Sequence, residues 1–425
     1  MEFIRPRGTR DFLFDEMNNR KKVENILREV FENYSYKEVK TPTFENLSLF
    51  TSKSGDEIVK QLYNFKDKSG RELTLRPEIS APISRLYLNS MQKSPRPIKL
   101  YYFGNCFRYE RPQKGRFREF WQFGCELIGA KSPQAEAEVI TMAHDSINKL
   151  SINAEIHINH LGIIRGILNH FKIQEDLQKQ LMVLIDKKEK KTLKNRIKEL
   201  LKGNETLQEI ILMLFDSTGD QNTLEDVEEY LQDYDEIKGP LTEFKQLTEL
   251  LAIFGVDDYK VNLSVVRGLD YYTGIVFEVY VKELESQKQV CGGGTYNLIK
   301  QFSGEDIQST GFAFGFDRLM VAIKDLKSSS NLQVLVAPIS DNTRLKSYEI
   351  AQKLRRANIP TETDLFNRKL KKILSFANNL NVSKVILVGE KDLKERKLTI
   401  KNMKTGNQEI VPIDNIVEYI KQSLD

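Results

Sequence analysis

The stretch FRYERPQKGRFREFWQFGCELIG, residues 107–129, reads as the facing ends of two strands joined by a basic loop. Arg108 and Glu110 leave the first strand and RPQKGR turns. Phe120, Gln122, Gly124 and Glu126 then return on one face of the second, because side chains two apart share a face of a strand. A core strand would carry aliphatic residues at those positions, not an amide and a carboxylate. The polar face marks either a solvated hairpin, the commoner meaning of an isolated Arg/Glu pair, or the floor of a binding site.

Working outward, the same excess of polar residues recurs twice. TLRPEIS, residues 74–80, puts Arg76, Glu78 and Ser80 on alternating positions and so on one face of an expected strand. RGLDYYTGIVFEVY, residues 267–280, alternates properly in its second half, with Ile275, Phe277 and Val279 opposite Val276, Glu278 and Tyr280. Its first half places Arg267, Tyr271 and Tyr272 where aliphatics belong. QLYNFKD, ELTLRPE, IKLYYFGNCFRYE and EFWQFGCELIGA read as antiparallel strands. Together the polar stretches would gather two carboxylates, an amide, tyrosine hydroxyls and several arginines. That set suits a zwitterionic amino acid beside a phosphate-bearing partner, since carboxylates take an α-amino group and arginines grip phosphate oxygens in bidentate fashion.

The rest of the chain gives these strands an α+β frame. Val23, Ile26, Leu27, Val30 and Phe31 fall at helical spacing, and YKEVKT is a short strand closed by Pro42. A helix is expected to start at Ser132 as N-cap, in SPQAEAEVITMAHDSINKL. From about 173 to 250 the chain becomes rich in Lys, Glu and Leu with no evident strand, which reads as a helical insertion. GFAFGFDRLMVAIKDL runs from a glycine-rich strand into a helix, and KSSSN, residues 327–331, is a polar linker. Beyond it strands and helices alternate, as in a small α/β domain with parallel pairing.

Bulk properties narrow the function classes. The chain has 425 residues, 40% hydrophobic and 29% charged, enough for two or three domains. No run is long enough for a membrane helix, and MEFIRPRGTRDF lacks the apolar core of a signal peptide. Cys106, Cys125 and Cys291 form no CxxC pair and fit a reducing compartment. His157 and His160, the only close histidine pair, lie in a strand-like context that disfavours zinc ligation. CGGGTY lacks the spacing of a dinucleotide fingerprint, and no Walker A sequence occurs. The net charge is +4, but residues 331–425 carry 17 Lys and Arg against 11 Asp and Glu. That segment is either a solvated lysine-rich surface or a contact for a polyanion.

In this order the stretches resemble class II aminoacyl-tRNA synthetases, and among them the histidyl-tRNA synthetase family. FRYERPQKGRFREFWQFGCELIG resembles class II motif 2, GFAFGFDRL motif 3, and YKEVKTPTFE with Pro42 motif 1. RPRGTRDF, TLRPE, RGLDYYTGIVFE and CGGGTYNLI resemble segments of the histidine family itself. The similarity covers nearly the whole chain; the helical insertion matches in place only. Where many family members read PEGT, this chain has PEIS, so Ser80 keeps the hydroxyl.

The resemblance implies an α+β class II catalytic domain over residues 1–326, with an antiparallel sheet flanked by helices and a helical insertion at about 173–250. It implies a small α/β anticodon-binding domain over 331–425. The implied reaction activates histidine with ATP to histidyl-adenylate and pyrophosphate, then passes histidine to tRNA(His). Arg108 would bind the α-phosphate, Phe120 would stack on adenine and Arg318 would complete the ATP site. Arg267 would lie on the α-phosphate and the reacting carboxylate, which makes Arg267 and Arg108 the catalytic pair. Glu78, Ser80 and Gln122 would clamp the α-amino group, and Glu126 and Tyr272 would read the imidazole with Tyr271 supporting the wall. Gln113, Lys114 and Arg116 would approach the tRNA acceptor end. ATP as substrate, Mg2+ accompanying it, no zinc, a homodimer through motif 1, a cytoplasmic location and no membrane complete the expectation. Two other readings share the fold: a regulatory subunit of ATP phosphoribosyltransferase, and an RNA-binding module with a degenerate synthetase domain. Retention of Arg108, Arg267 and Arg318 argues against both.

Overall fold

The computed structural model describes residues 3–51, 59–111, 115–267, 271–282, 284, 288–323 and 332–423. The chain forms two compact units, Met1–Leu13 with Asn19–Leu326 and Phe14–Asn18 with Lys327–Asp425. The expected linker KSSSN lies outside the described residues.

The larger unit is built on a nine-stranded sheet of order β1-β5-β6-β12-β11-β10-β7-β9-β8. Its strands are β1 (Lys37–Glu38), β5 (Ile98–Phe107), β6 (Glu119–Ile128), β7 (Ala154–His160), β8 (Thr218–Gly219), β9 (Tyr259–Asn262), β10 (Tyr272–Val281), β11 (Gln289–Tyr296) and β12 (Ser309–Gly315). From β5 to β7 every neighbouring pair is antiparallel, and β1 and β9 add parallel pairings at the two sides. β5 and β6 pair from Ile98 opposite Ile128 to Phe107 opposite Glu119, so the expected hairpin forms and its basic loop is the tip. A second, three-stranded sheet holds β2 (Phe44–Asn46), β4 (Glu72–Leu75) and β3 (Tyr63–Lys66) in that order.

One face of the large sheet is closed by helices. The helix Phe14–Asn33 buries Val23, Leu27, Val30 and Phe31, as the 3.6-residue spacing requires. Phe31 meets Phe123 edge-on at 4.9 Å between centroids and Tyr101 at 5.9 Å. The helix expected from Ser132 begins at Gln134, with Pro133 at the N-cap. Ser132 does not cap it through a backbone N–H; its hydroxyl donates to the carboxylates of Glu136 and Glu243. Five helices, Glu175–Asp186, Lys190–Leu200, Glu205–Asp216, Asn222–Tyr230 and Lys238–Ile253, fill the Lys/Glu/Leu-rich region and bury leucines and isoleucines such as Leu181, Ile197 and Ile211. The region is not free of strand, however: β8 pairs with β9 at the margin of the sheet. Two residues are too few to show a period in sequence.

TLRPEIS is the clearest departure from a strand reading. β4 ends at Leu75, Pro77 follows, and Ser80 opens the helix Ser80–Ser90. Arg76, Glu78 and Ser80 therefore do not alternate along one strand. Glu78 instead receives the Ser80 N–H at 2.6 Å and the Ala81 N–H at 3.0 Å, supplying acceptors to two N–H groups that a helix start leaves unpaired.

In the smaller unit the sheet runs β14 (Thr361–Thr363), β13 (Val334–Pro338), β15 (Lys384–Val388), β16 (Lys397–Asn402), β17 (Gln408–Pro412). Pairing is parallel among β14, β13 and β15 only; β15, β16 and β17 are antiparallel. The helices Arg344–Arg356 and Leu370–Asn379 provide the crossovers that parallel strands need. β16 and β17 are joined by a short turn in which Gly406 takes φ 78°, which permits only antiparallel pairing.

Candidate active site

A cavity of about 380 Å³ opens over β6, β10, β11 and β12, with Arg108, Phe120, Gln122, Arg267, Glu278 and Arg318 in its wall. Arg116 lines it as well. Gln113 and Lys114 lie outside the described residues. Glu78, Ser80, Glu126, Tyr271 and Tyr272 form a polar cluster behind this wall, largely sealed from solvent.

The cluster centres on Glu126, 1% exposed toward the C-terminal end of β6. Its Oε1 accepts from the Ser80 hydroxyl at 2.6 Å, and its Oε2 accepts from the hydroxyl of Tyr296. Burial pushes its carboxyl up to about 8, against the opposing pull of these two donors. Room for it comes from the next strand: a Cβ on Gly311 would lie 2.0 Å from Glu126 Oε2. Glu78, also fully buried, is shifted upward by burial despite its two backbone donors and the nearby charge of Arg108.

Tyrosines wall the other side of Glu126. Tyr271 and Tyr272 lie 5.0 Å apart between ring centroids, and Tyr296 lies 5.4 Å and 6.1 Å from them. Burial raises all three phenols, so each keeps its proton and can donate. In the ligand-free site the hydroxyl on Glu126 is that of Tyr296, whereas Tyr272 lies beside Arg267, whose guanidinium is 5.4 Å from its ring. Tyr296, in CGGGTYNLI, does not stand out in the sequence pattern. The usable signal was register, since Tyr272 pairs with Tyr296 across β10 and β11.

Arg267 is not in a strand. It precedes β10 in the left-handed region at φ 64°, uncommon for a residue with a side chain. Its Nη1 donates to Glu278 Oε1 at 2.9 Å, and a Cβ on Gly292 would fall 2.1 Å from that nitrogen. Burial opposes its charge, but Tyr272 and Glu278 outweigh it and hold the guanidinium above its ordinary range. Its buried Nε has no hydrogen-bond partner among the described residues.

The remaining cations stand around the mouth of the cavity. Arg108 Nε donates to the Pro77 carbonyl at 2.9 Å, with its guanidinium 5.2 Å from the Phe120 ring. Arg318 Nη1 donates to the Gln289 carbonyl at 2.7 Å. Burial, with Arg116 and Arg108 close by, pushes Arg318 down to about 10. Asp317, 2% exposed, fixes this corner by accepting from Arg10 at 2.6 Å, Arg20 at 2.8 Å and the Trp121 N–H at 2.8 Å. Gln122 Oε1 accepts from the buried thiol of Cys106 at 3.2 Å. Arg76 stays outside the site: it is 3% exposed, and its guanidinium donates to the Asn105 and Thr41 carbonyls at 2.8 and 3.0 Å. Among the described residues no group of three or more His, Cys, Asp or Glu is arranged to hold a metal ion.

An antiparallel sheet with a cleft walled by arginines and a buried cluster of carboxylates and phenols behind that wall is the architecture of a class II aminoacyl-tRNA synthetase. The model of the histidyl-tRNA synthetase family matches residues 8–319, that of an anticodon binding domain matches residues 333–423, and the chain belongs to the histidyl-tRNA synthetase family. The histidine–tRNA ligase of Methanocaldococcus jannaschii is 46% identical over 420 residues, 98% of this chain and 99% of that protein. An apo histidyl-tRNA synthetase from S. aureus superposes with a TM-score of 0.77 at 29% identity, covering 99% of this chain and all of that one. A Bacillus halodurans protein described as an ATP phosphoribosyltransferase regulatory subunit/histidyl-tRNA synthetase gives 0.79 at 26%, covering 91% and 98%. Activation of histidine with ATP and its transfer to tRNA is the reaction of the family.

Proposed function

We propose that the cavity binds ATP among its arginines, that histidine is held by the carboxylate and phenol cluster behind its wall, and that Arg267 with Arg108 carries adenylate formation. The observation that supports this most is the partition of charge. Burial, with Arg116 and Arg108 close by, depresses Arg318, the condition of a site completed by a polyanion. Glu78 and Glu126 sit buried behind it with no cationic side chain bonded to either among the described residues, and an α-ammonium group supplies one to Glu78.

In this reading Phe120 stacks on adenine, Arg108 and Arg318 grip the phosphates, and Glu78, Ser80 and Gln122 hold the α-amino group. Glu126 accepts from one imidazole nitrogen and a phenol, Tyr272, donates to the other, with Tyr271 as wall; an apolar ring of similar shape would leave both unpaired. The protein forms no covalent bond to either substrate. It holds the carboxylate in line with the α-phosphate, and Arg267, fixed by Glu278, stabilises negative charge as it builds. Magnesium would accompany ATP, and the wall offers it carboxylates: Glu278 and Asp317 already hold arginines within 2.9 Å, whereas Glu110 is only loosely paired with Arg116 at 3.7 Å and stands in the same wall as Asp186.

Residues 1–326 form the catalytic domain in this scheme, with the insertion at about 173–250, and residues 331–425 take the anticodon arm, for which their excess of positive charge is suited. Arg116, with Gln113 and Lys114, meets the acceptor end. A homodimer through the segment around Pro42 is supported by Phe44 and Phe65 nearby, 53% and 42% exposed with ring centroids 6.3 Å apart. A cytoplasmic location follows from tRNA as partner; among the described residues no helix is long and apolar enough to cross a membrane.

The test is ATP–pyrophosphate exchange with each of the twenty amino acids. Exchange with histidine alone is expected, and Arg267→Ala should slow adenylate formation by about 10²–10³ while histidine affinity changes little. Equal, small losses in both would remove Arg267 from catalysis. No exchange with any amino acid, alongside histidine binding, would favour a regulatory protein of the same fold.

A further inference from the structure

Glu278 serves more than Arg267. Its Oε1 accepts from Arg267 Nη1 and Gln289 Nε2, both at 2.9 Å, and its Oε2 accepts from Lys188 Nζ at 2.9 Å. The Tyr280 hydroxyl closes the group, bonded to both Glu278 and Lys188. Lys188 belongs to no strand of the sheet. It lies in the turn between the helices Glu175–Asp186 and Lys190–Leu200, in the left-handed region at φ 54°. Asp186, at the end of the first of these helices, lines the same cavity. The helical insertion thus reaches the catalytic arginine through one carboxylate.

The charges decide what this contact does. Glu278 is 6% exposed, and Arg267 and the more exposed Lys188, at 37%, both pair with it, so these three groups sum to one positive charge. Without Lys188 the pair would sum to zero, and the whole carboxylate would fall on Arg267, drawing the guanidinium away from the substrate. Burial alone would raise the Glu278 carboxyl, but Arg267 and Lys188 together keep it below its ordinary range, so it stays an anion able to hold both.

We propose that Lys188 is a positioning residue for adenylate formation: by sharing the charge of Glu278 it leaves the positive field of Arg267 available to the α-phosphate and the reacting carboxylate, and so couples the helical insertion to activation. This rests on the role given above to Arg267. Any displacement of the insertion that withdraws Lys188 then slows activation without touching either substrate.

The experiment measures single-turnover adenylate formation and histidine affinity in the full chain for Lys188→Met, Lys188→Arg, Arg267→Ala and the double variant Lys188→Met/Arg267→Ala. Lys188→Gln serves as a second neutral replacement, and melting temperatures control for folding. Lys188→Met is expected to slow adenylate formation about tenfold with histidine affinity within about twofold. Lys188→Arg should recover the rate to within about threefold, because it restores the charge. In the Arg267→Ala background, Lys188→Met should cost less than about twofold more, since the group it acts through is gone. An unchanged rate in both neutral variants, or losses that multiply in the double variant, overturns the proposal and leaves the role of Arg267 standing. A full rate in Arg267→Ala overturns both.

Discussion

Replacing Glu126 by Gln is expected to stabilise the ligand-free enzyme above neutral pH while destroying recognition of histidine. The carboxyl is buried and moves from an ordinary 4.5 to about 8. Below pH 4.5 it is protonated both folded and unfolded and has no differential effect. Between the two values the folded protein retains a proton that the unfolded chain has released, so stability falls as pH rises; above about 8 the fall is complete. Integrated over that interval the upper bound is about 5 kcal/mol. An amide does not titrate, accepts from the Ser80 hydroxyl through its oxygen, and donates to the Tyr296 hydroxyl, which can turn to accept. Glu78 is shifted in the same direction but is common to both proteins, so it largely cancels in the comparison. Melting temperatures of the two proteins without ligand, from pH 5 to 9, should therefore diverge in favour of Gln by up to about 10 °C, at about 2 °C per kcal/mol for a unit of this size. Histidine affinity, measured at pH 7.5, should fall by about 10² or more. Parallel melting profiles would show that Glu126 does not carry a buried proton, and the account of the pocket would fail with it.

Three further outcomes follow from the same geometry. Gly292→Ala sets a Cβ where Arg267 Nη1 now lies, so adenylate formation should drop about 10²-fold in single-turnover assays while the melting temperature stays close to that of the parent, since the end of an arginine can swing aside. Tyr296→Phe removes one of the two donors on Glu126 and should cost about 1–2 kcal/mol in urea unfolding, whereas Tyr272→Phe should leave stability nearer the parent and raise the histidine KM; the reverse pattern would exchange their roles. Asp317→Asn leaves Arg10 and Arg20 without their shared anion and should destabilise the larger unit by about 3 kcal/mol; a loss below 1 kcal/mol would show that the stacked rings of Phe12 and Phe117 hold these arginines unaided.

What the sequence disclosed, and what it withheld, follows the range of the forces involved. The helix Phe14–Asn33 and the β5–β6 hairpin are local patterns, apolar every three to four residues or every second residue, and both form where those patterns lie. TLRPEIS fails as a strand for a local reason: Pro77 followed by a carboxylate is a helix-start signal. Arg267 and Lys188 could not be placed this way. Arg267 takes a left-handed conformation ahead of β10 and Lys188 one just past the end of its helix, where its N–H donates to the Ile185 carbonyl, but the carboxylate that joins them is 90 residues from one and 11 from the other. Tyr296 was hidden by strand order: β11 lies between β12 and β10, so its side chains face groups that only the assembled sheet brings near. The similarity to a family supplied the ends of the cavity, and the fold supplies the residues that hold those ends in tension.

That tension is the physical content of the site. The buried carboxyls of Glu78 and Glu126 are raised by desolvation, and Arg318 is lowered by burial with Arg116 and Arg108 close by; each is relieved by one half of the proposed pair of substrates. In that reading histidine brings its ammonium group to Glu78 and its imidazole to Glu126, and ATP brings phosphates to Arg108, Arg267 and Arg318. Neither substrate relieves both ends. Binding of the first leaves the opposite end strained, and formation of the adenylate is the state in which one molecule, spanning the cleft, neutralises both. A site with this charge layout should therefore hold the adenylate more tightly than either substrate and so keep this mixed anhydride from water until tRNA arrives. Lys188 tunes the same balance from the side by deciding how much of the charge of Arg267 is spent on Glu278.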